Sequence, residues 1–382
     1  GKMEKIYLDH AATSPMHPDV IRAMVEYMEN HFGNPSSIHT FGRDTRRLID
    51  EARTTAARAI QAEFQEIVFT SGGTEANNLA LIGVALANRD RGKHIITTQI
   101  EHHAVLKTCE FLEKQGFEVT YLPVNKNGVV SVEELQNSLR DDTILVSIMY
   151  ANNEIGTVQP IAEIGTILSN HPAYFHTDAV QAFGVMPLDV RELGVDLLSV
   201  SAHKFNGPKG TGFLYIKDGV RILPIIHGGE QERKRRAGTE NVAGIIGMQK
   251  AIKISMENRK QIHDFYAELR DTFIETLMDE KITFKINGAG EKMLPHIVNI
   301  HFPGVEVEAM LVNLDLAGIA ASSGSACTAG SLEPSHVLSA VCGADAPEIY
   351  ESIRFSFGYG NTIEEVQKAA RTTAAIVRRL SR

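Results

Sequence analysis

The sequence has no tryptophan and only three cysteines among its 382 residues. So few cysteines cannot build the disulfide framework of a small secreted domain, and they suit a reducing compartment. No C-x-x-C or H-E-x-x-H spacing occurs, so the sequence predicts no metal site. No secretory leader is visible before Ile6-Tyr-Leu-Asp9, and we therefore expect a cytoplasmic protein.

Long apolar runs are also missing, and none approaches the ~18 residues of a membrane-spanning helix. Basic side chains are outnumbered, 38 against 47 acidic ones, which gives a net charge of -9. This charge argues against direct binding to nucleic acid or to an anionic membrane. Hydrophobic residues make up 43% and charged residues 22% of the chain, as in ordinary globular proteins. The length predicts one large domain and a smaller one.

Short apolar strands alternate with helical patterns over residues 66–216, and this alternation predicts an α/β doubly wound fold with a mainly parallel sheet. Ligands of such sheets bind beyond the carboxyl ends of the strands. His102, Asn153, Asp178 and Lys204 all come just after predicted strands. We therefore expect four separate loops to direct polar groups into one crevice.

Lys204 lies between the apolar run Val195–Val200 and a turn at Gly207-Pro208. Its immediate neighbours are alanine, histidine and phenylalanine, which predicts a partly desolvated amine. Burial lowers the pKa of a lysine and makes the free amine available as a nucleophile. The alternative is an ordinary lysine whose stem covers apolar surface while its amine stays in water.

A glycine-rich junction, Ser71-Gly-Gly-Thr74, follows a predicted strand and opens a helix that runs to about Ala87. Glycines allow close approach of the backbone, and the free N–H groups of a helix start can bind an anion. The alternative is simple N-capping of the helix by Ser71 or Thr74.

Cys327 lies within residues 320–331, a segment made almost wholly of small residues. Such a segment packs poorly, so we expect it to be mobile and its thiol to be available for chemistry. Cys109, in an amphipathic helix, and Cys342, before a glycine, are predicted to be inert.

Two basic features each have two interpretations. Arg354 is a lone charge inside an apolar strand, so it either pairs with an internal acid or binds an anionic ligand such as a carboxylate. Residues 227–241 form a basic segment flanked by glycines. That segment is either a solvated loop or a loop that contacts an anion or another subunit.

Together these groups meet the needs of pyridoxal phosphate, which requires a lysine for its Schiff base, an acid for its ring nitrogen and a phosphate cradle. Lys204 would supply the amine, and Asp178 would keep the ring nitrogen protonated. Arg354 would bind the carboxylate of the substrate, and Cys327 would attack the substrate side chain. The remaining contacts, to the phosphate, ring and ring substituents, are assigned to Gly73, Thr74, Ser201, His203, His102, Asn153 and Gln181.

Over essentially its whole length the chain resembles the cysteine desulfurases of the NifS/IscS type, which are class V aminotransferase-like, fold-type I pyridoxal phosphate enzymes. Each motif is weak alone, but their combination is highly specific. The motifs are Tyr7-Leu-Asp-His-Ala-Ala-Thr13, Thr70-Ser-Gly-Gly-Thr-Glu-Ala-Asn-Asn78, Glu101-His-His-Ala-Val105, Asn152-Asn-Glu-Ile-Gly156, His176-Thr-Asp-Ala-Val-Gln181, Ser201-Ala-His-Lys204, Arg236-Ala-Gly-Thr239 and Ser322-Ser-Gly-Ser-Ala-Cys327.

The resemblance implies a large cofactor-binding domain over 16–257, with a mainly parallel seven-stranded sheet between helices. It implies a small α+β domain from 1–15 and 258–382 that carries the Cys327 segment. The implied reaction converts L-cysteine to L-alanine and leaves the sulfur on Cys327 as a persulfide. In this reaction Lys204 would move the α-proton, and His102 would act as an acid or base near the substrate thiol.

The resemblance also implies the surroundings of the substrate. Arg354 would bind the substrate carboxylate together with Asn153, and the turn at His10-Ala11 would lie against the substrate. Thr239 would reach the cofactor phosphate of another subunit, which implies a homodimer.

The sulfur acceptor is left open between an iron–sulfur scaffold and a tRNA thiolation enzyme. The chain departs from the IscS pattern at Ala329-Gly330 and at Arg354-Phe-Ser-Phe-Gly358, and these changes concern the acceptor rather than the chemistry. One rival is a selenocysteine lyase or another class V pyridoxal phosphate enzyme, such as a transaminase. A second rival, of a different kind, is a sulfur-relay binding protein that has lost catalysis.

Overall fold

The computed structural model describes residues 4–324, 326–328 and 331–381, and at 326–328 and 331–332 it describes the backbone alone. The strands are β1 (Ile6–Tyr7), β2 (Ile67–Thr70), β3 (His94–Thr98), β4 (Glu118–Leu122), β5 (Thr143–Ser147), β6 (Tyr174–Asp178), β7 (Leu197–Ser201), β8 (Gly212–Ile216), β9 (Lys285–Ile286), β10 (Ile297–His301), β11 (Ile319–Ala320), β12 (Ala326–Thr328), β13 (Ser331–Glu333) and β14 (Ser352–Ser356). The α-helices are α1 (Pro18–Asn30), α2 (Thr40–Ala59), α3 (Gly73–Ala87), α4 (His103–Lys114), α5 (Val132–Ser138), α6 (Ile161–Leu168), α7 (Val190–Leu193), α8 (Val242–Asp279), α9 (Val307–Leu316), α10 (His336–Cys342) and α11 (Ile363–Leu380).

A seven-stranded sheet with the order β2-β8-β7-β6-β5-β3-β4 forms the centre of the larger body. Its strands run parallel except for β8, which is antiparallel to both β2 and β7. Every residue of β3, β5 and β7 is buried, and β5 and β7 are mainly apolar, as expected for strands covered on both faces. The predicted α/β fold with a mainly parallel sheet is confirmed.

Helices cover both faces of this sheet. The core on one face is formed with α3 and α4, and the core on the other with α2, α6 and α8. Because the helices lie on the faces, the loops after the parallel strands collect at one edge of the sheet. Ligand sites of such sheets form at this edge.

The smaller body has its own hydrophobic core and an antiparallel sheet in the order β14-β10-β9. Helices α9 and α11 pack on this core, and β1 joins it by pairing in parallel with β11. Helix α8 connects the two bodies, and its helical geometry is interrupted at Asn258, where φ is -125°. We propose that the boundary between the large domain (16–257) and the small domain (1–15 and 258–382) lies at this kink.

The N-terminal segment after β1 crosses from the smaller body to the larger one. Its Ala11 N–H donates to Ser356 Oγ of β14 at 2.8 Å, and its Ser14 N–H donates to the carbonyl oxygen of His203 at 3.2 Å. This segment therefore contacts both bodies. Its contact with the larger body is at His203, the residue before Lys204.

The Cys327 segment contains a short antiparallel hairpin, in which β12 pairs with β13 and Cys327 lies opposite Leu332. The prediction that this segment is mobile concerns residues that lie partly outside the described ranges. The Cys327 side chain, and so the orientation of its thiol, also lies outside them. In the part of the chain that the structure describes, no helix is long and apolar enough to cross a membrane.

Candidate active site

A cavity of about 260 Å³ lies at the carboxyl ends of the parallel strands. It is lined by nine of the residues predicted to bind a cofactor: Gly73, Thr74, His102, Asn153, Asp178, Gln181, Ser201, His203 and Lys204. The structure therefore brings together the polar groups of separate loops, as the strand-end pattern predicts. Thr239 does not line this cavity within the same chain, and neither do His10, Ala11 and Arg354.

Lys204 stands on a short 3-10 helix, Ala202–Phe205, that begins where β7 ends. Its Nζ donates to the carbonyl oxygen of Ala12 at 2.9 Å and also contacts that of Ala11. Burial, reinforced by the nearby Arg354 charge, lowers the pKa of Lys204 to about 8. The amine is thus held inside the site, and the alternative of a lysine whose amine lies in bulk water is wrong.

Asp178 is the last residue of β6, and both of its carboxylate oxygens accept hydrogen bonds. Asn77 Nδ2 donates to Oδ2, and the Val180 N–H donates to Oδ1, each at 3.0 Å. These bonds hold the carboxylate in one orientation at the cavity wall. Asn77 lies in one of the sequence motifs, but no role was predicted for it. The available signal was its position four residues after Gly73, which puts both residues on one face of α3.

The N-cap residue of α3 is Gly72, with φ 143°, a conformation that favours glycine. Among the described side chains, none accepts a hydrogen bond from the first turn of this helix. The alternative of capping by Ser71 or Thr74 is therefore wrong. A Cβ at Gly73 would lie 2.9 Å from Val180 Cγ2, so the close contact between this turn and the cavity wall requires glycine. Uncapped N–H groups at a helix start suit a phosphate.

His102 lines the cavity and is also the N-cap residue of α4, because its Nδ1 accepts from the Ala104 N–H at 3.0 Å. The neutral imidazole consequently carries its proton on Nε2. Burial lowers the pKa of His102, and the nearby Asp178 charge opposes this shift. His102 is thus kept neutral, with one N–H to donate.

These groups fit pyridoxal phosphate. A lysine amine of lowered pKa, a fixed buried carboxylate and an uncapped helix start share one cavity, and they are what this cofactor requires. The aminotransferase class-V family matches residues 6–369 of the sequence. The chain belongs to this family.

Relatives within this family include cysteine desulfurases. A Bacillus subtilis (strain 168) protein provisionally named as an IscS-type cysteine desulfurase is 60% identical over 99% of this chain and 100% of that protein. The cysteine desulfurase IscS of Methanosarcina thermophila is 54% identical over 98% of this chain and 92% of its own length. A solved NifS-like protein superposes with a TM-score of 0.92 at 37% identity, covering 99% of this chain and 100% of that one.

In this class V enzyme, Arg354 lies between the two bodies and is 7% exposed. Its Nη2 donates to Asp9 Oδ1 at 3.1 Å, and its Nη1 donates to the carbonyl oxygen of Asn153 at 2.9 Å. Its Nε has no partner within the described ranges. Pairing with an internal acid is therefore observed, and binding of a ligand carboxylate stays a prediction. His10 is buried against Gly358, and burial lowers its pKa to about 4.

The basic segment 227–241 is not a wholly solvated loop. Glu232 is buried and forms a paired contact with Arg53, with N···O distances of 2.7 and 2.6 Å. Arg236 forms a paired contact with Glu75 of α3, with both distances at 2.9 Å. Thr239, three residues further on, is exposed. The segment is therefore attached to the start of α3 while Thr239 stays accessible.

Two of the cysteines have described side chains. Cys109 is fully buried, and burial raises the pKa of its thiol. Cys342 is half-buried, and burial raises the pKa of its thiol as well. A thiol whose pKa is raised is a poor nucleophile at neutral pH, as the sequence predicted for both.

Proposed function

We propose that this chain converts L-cysteine to L-alanine as a cysteine desulfurase and takes the sulfur onto Cys327. The carbon–sulfur bond of the substrate breaks, and the sulfur forms a new bond to the Cys327 thiolate. The substrate carbon keeps the electron pair and takes up a proton. Cysteine and one enzyme thiol thus become alanine and one persulfide, without any external oxidant or reductant.

The observation that carries the proposal is the surroundings of Lys204, an amine of lowered pKa in one cavity with Asp178, His102 and an uncapped helix start. When bound, pyridoxal phosphate supplies an electron sink for the substrate α-carbon. Several reactions could use this electron sink, and the full-length similarity to cysteine desulfurases favours the desulfuration of cysteine.

The remaining roles belong to side chains of this chain. Lys204 would move the α-proton, because an amine with a pKa of about 8 is partly unprotonated near neutral pH. Asp178 would hold the ring nitrogen protonated, and Ser201, His203, Gly73 and Thr74 would hold the phosphate. Gln181 and Asn153 would contact ring substituents. His102 could stack on the ring and donate its Nε2 proton near the substrate thiol.

Arg354 would exchange its contact with Asp9 for the substrate carboxylate. It is nearly buried, and it already holds the loop of Asn153 through a backbone oxygen. His10 and Ala11 would lie against the bound substrate. The carbonyl oxygen of Ala11 accepts from Gln181 Nε2 at 2.9 Å and contacts Lys204, which supports a place for this turn beside the reacting groups.

We further propose a cytoplasmic homodimer in which the exposed Thr239 reaches the cofactor phosphate of the partner subunit. The sulfur acceptor would be an iron–sulfur scaffold, as the IscS names of the relatives suggest, or a tRNA thiolation enzyme. No direct contact with nucleic acid or membrane is proposed, since the net charge is -9.

The test is to incubate the cofactor-loaded protein with L-cysteine and to measure the mass of the Cys327 peptide. We expect a gain of one sulfur on this peptide and release of alanine, with no gain in Cys327→Ala. Lys204→Ala should release no alanine, because it lacks the amine that moves the α-proton.

The same measurement separates the rivals. Alanine or pyruvate without a persulfide would indicate a lyase or transaminase, and Cys327→Ala would then turn over normally. Absence of visible cofactor absorbance would indicate a sulfur-relay protein without catalysis. Sustained alanine production by Lys204→Ala would contradict the proposal outright.

A further inference from the structure

Glu154 is a buried carboxyl that has no role in the reaction proposed above. It follows Asn153 of the cavity wall and is 6% exposed. Its Oε1 accepts a hydrogen bond of 2.5 Å from Ser335 Oγ. Ser335 is the N-cap residue of α10, and its Oγ also accepts from the Leu338 N–H at 3.1 Å. The carboxyl of Glu154 therefore holds the residue at which α10 begins.

Gly324 lies against the same carboxyl oxygen. A Cβ at position 324 would overlap Glu154 Oε1 and would lie 2.8 Å from Ser335 Oγ. Residues 324 and 335 flank the β12–β13 hairpin that carries Cys327. The two ends of the Cys327 segment thus meet at one oxygen of Glu154.

Other contacts attach these two ends to the cavity wall. On the first side, Ser322 pairs with Arg354 through backbone bonds of 2.7 and 3.2 Å, and Arg354 Nη1 donates to the Asn153 carbonyl oxygen. On the second side, a ring nitrogen of His336 lies 2.7 Å from the carbonyl oxygen of Glu101, the residue before His102. Glu154 links these two attachments, because it follows Asn153 in the chain and its carboxyl binds Ser335, the residue before His336.

The position of Glu154 is itself fixed. Its carbonyl oxygen accepts from Asn299 Nδ2 of β10 at 3.1 Å, and its N–H donates to Asn152 Oδ1 at 2.8 Å. Burial raises the pKa of the Glu154 carboxyl. The contact with Ser335 needs only an oxygen that accepts a hydrogen bond. An amide of the same shape supplies that oxygen, so glutamine should replace this residue.

We propose that Glu154 is a positioning residue for sulfur transfer, whose carboxyl clamps Gly324 to Ser335 and so fixes where the Cys327 segment leaves and rejoins the enzyme beside the cofactor cavity. This inference rests on the proposed function, because it concerns the step in which Cys327 receives sulfur. It assigns the clamp no part in holding the cofactor or in moving the α-proton.

The test follows a single turnover with L-cysteine in wild type, Glu154→Ala, Glu154→Gln and Ser335→Ala holoenzymes. The persulfide on Cys327 is timed by mass spectrometry, and the change in cofactor absorbance is timed in parallel. In Glu154→Ala we expect persulfide formation to slow by about 10- to 100-fold, the range that follows misplacement of a reacting group. The absorbance change and the KM for cysteine should stay close to wild type.

The other variants test the clamp itself. Glu154→Gln should behave like wild type, and Ser335→Ala should be slowed in the same way as Glu154→Ala. The double variant Glu154→Ala, Ser335→Ala should form persulfide no more slowly than Glu154→Ala, because both changes remove the same interaction. Glu66→Ala is the matched control. Glu66 is also buried, but it accepts from the N–H groups of Glu63 and Asp218 near the start of β2, outside the site, and its loss should leave the persulfide rate unchanged.

A second measurement does not depend on sulfur chemistry. Amide hydrogen exchange in peptides covering 319–324 and 335–342 should be faster in Glu154→Ala than in Glu154→Gln or wild type. A wild-type protein without persulfide would overturn the proposed function, whereas the exchange result would still report on the clamp. Four outcomes would each overturn the positioning role. Hydrogen exchange could be the same in all variants, or the persulfide rate of Glu154→Ala could equal that of wild type. Persulfide formation could also slow as much in Glu154→Gln as in Glu154→Ala, or the absorbance change in Glu154→Ala could slow as much as persulfide formation.

Discussion

Glu101, directly before His102, is fully buried and is kept as a neutral acid. Thr98 Oγ1 donates to its Oε2 at 2.6 Å, and the Met149 N–H donates to its Oε1 at 2.9 Å. Burial raises its pKa to about 8, although both hydrogen bonds favour the charged form. A proton retained in the folded chain and released in the unfolded chain makes stability depend on pH.

We predict that Glu101→Gln flattens this dependence. Between the ordinary pKa of 4.5 and the folded value of about 8, the folded wild type binds the extra proton, so its free energy of unfolding falls as the pH rises. Glutamine removes this contribution. Relative to wild type, the variant should therefore gain about 1.4 kcal/mol of stability for each pH unit between pH 5 and pH 8. Urea unfolding at several pH values measures it. Parallel curves for the two proteins would contradict the prediction.

At the scale of the element, the short 3-10 helix Gln231–Lys234 has an unusual backbone. Glu232, Arg233 and Lys234 all have positive φ values, of 51°, 57° and 68°, although none is glycine. The segment is held in this conformation by Glu232, which binds Arg53 and also accepts from the Phe69 N–H of β2 at 2.7 Å. One buried side chain therefore offsets local backbone strain.

Glu232→Ala should lower the free energy of unfolding by about 3–5 kcal/mol, because it leaves the Arg53 charge buried and unpaired. Glu230→Ala is the control. Glu230 pairs only at the surface with Lys234, at 3.7 Å, and such pairs contribute at most about 1 kcal/mol. Chemical denaturation of the two variants measures the difference. Similar midpoints for both would show that Glu232 does not hold the loop.

The elements differ in how far the sequence predicts them. Strands such as β5 and β7 are apolar runs because both their faces are buried, so pattern alone finds them. The strand-end rule also placed Lys204, Asp178, His102 and Asn153 around one crevice. The roles of Asn77, Glu232 and Glu154 could not be found in this way, because each depends on a partner more than 100 positions away in the chain. The sequence also did not predict Gly72 as the cap of α3, since serine and threonine flank the glycine pair and are preferred caps.

At the scale of the whole molecule, large apolar side chains are exposed around the loop between α1 and α2. Phe32 is 81% and Ile38 90% exposed, and the Phe32 ring stacks on Phe41 with centroids 5.4 Å apart. Exposed apolar clusters of this kind mark interaction surfaces. We propose that the partner subunit of the proposed homodimer covers them.

The double variant Phe32→Asp, Ile38→Asp should therefore weaken the dimer, raising its dissociation constant by about tenfold or more. Light scattering at a series of protein concentrations measures the mass. Leu316→Asp is the control, because Leu316 is 70% exposed on α9 of the smaller body, and this variant should remain dimeric. A wild type that is monomeric, or a double variant that associates as tightly as wild type, would contradict the proposed interface.

The single reversed strand of the central sheet has a consequence for chain entropy. Because β8 runs antiparallel to β7, the two strands that flank Lys204 are joined by a hairpin, and its closing pair, Ser201 and Gly212, is only 11 positions apart. The contact of the Lys204 amine with Ala11 instead closes a loop of 193 positions. Loop-closure entropy makes the longer closure less favourable by about 2–3 kcal/mol. The strands that support the reactive amine thus pair locally, whereas its partner oxygens reach it only when a loop of about half the chain closes.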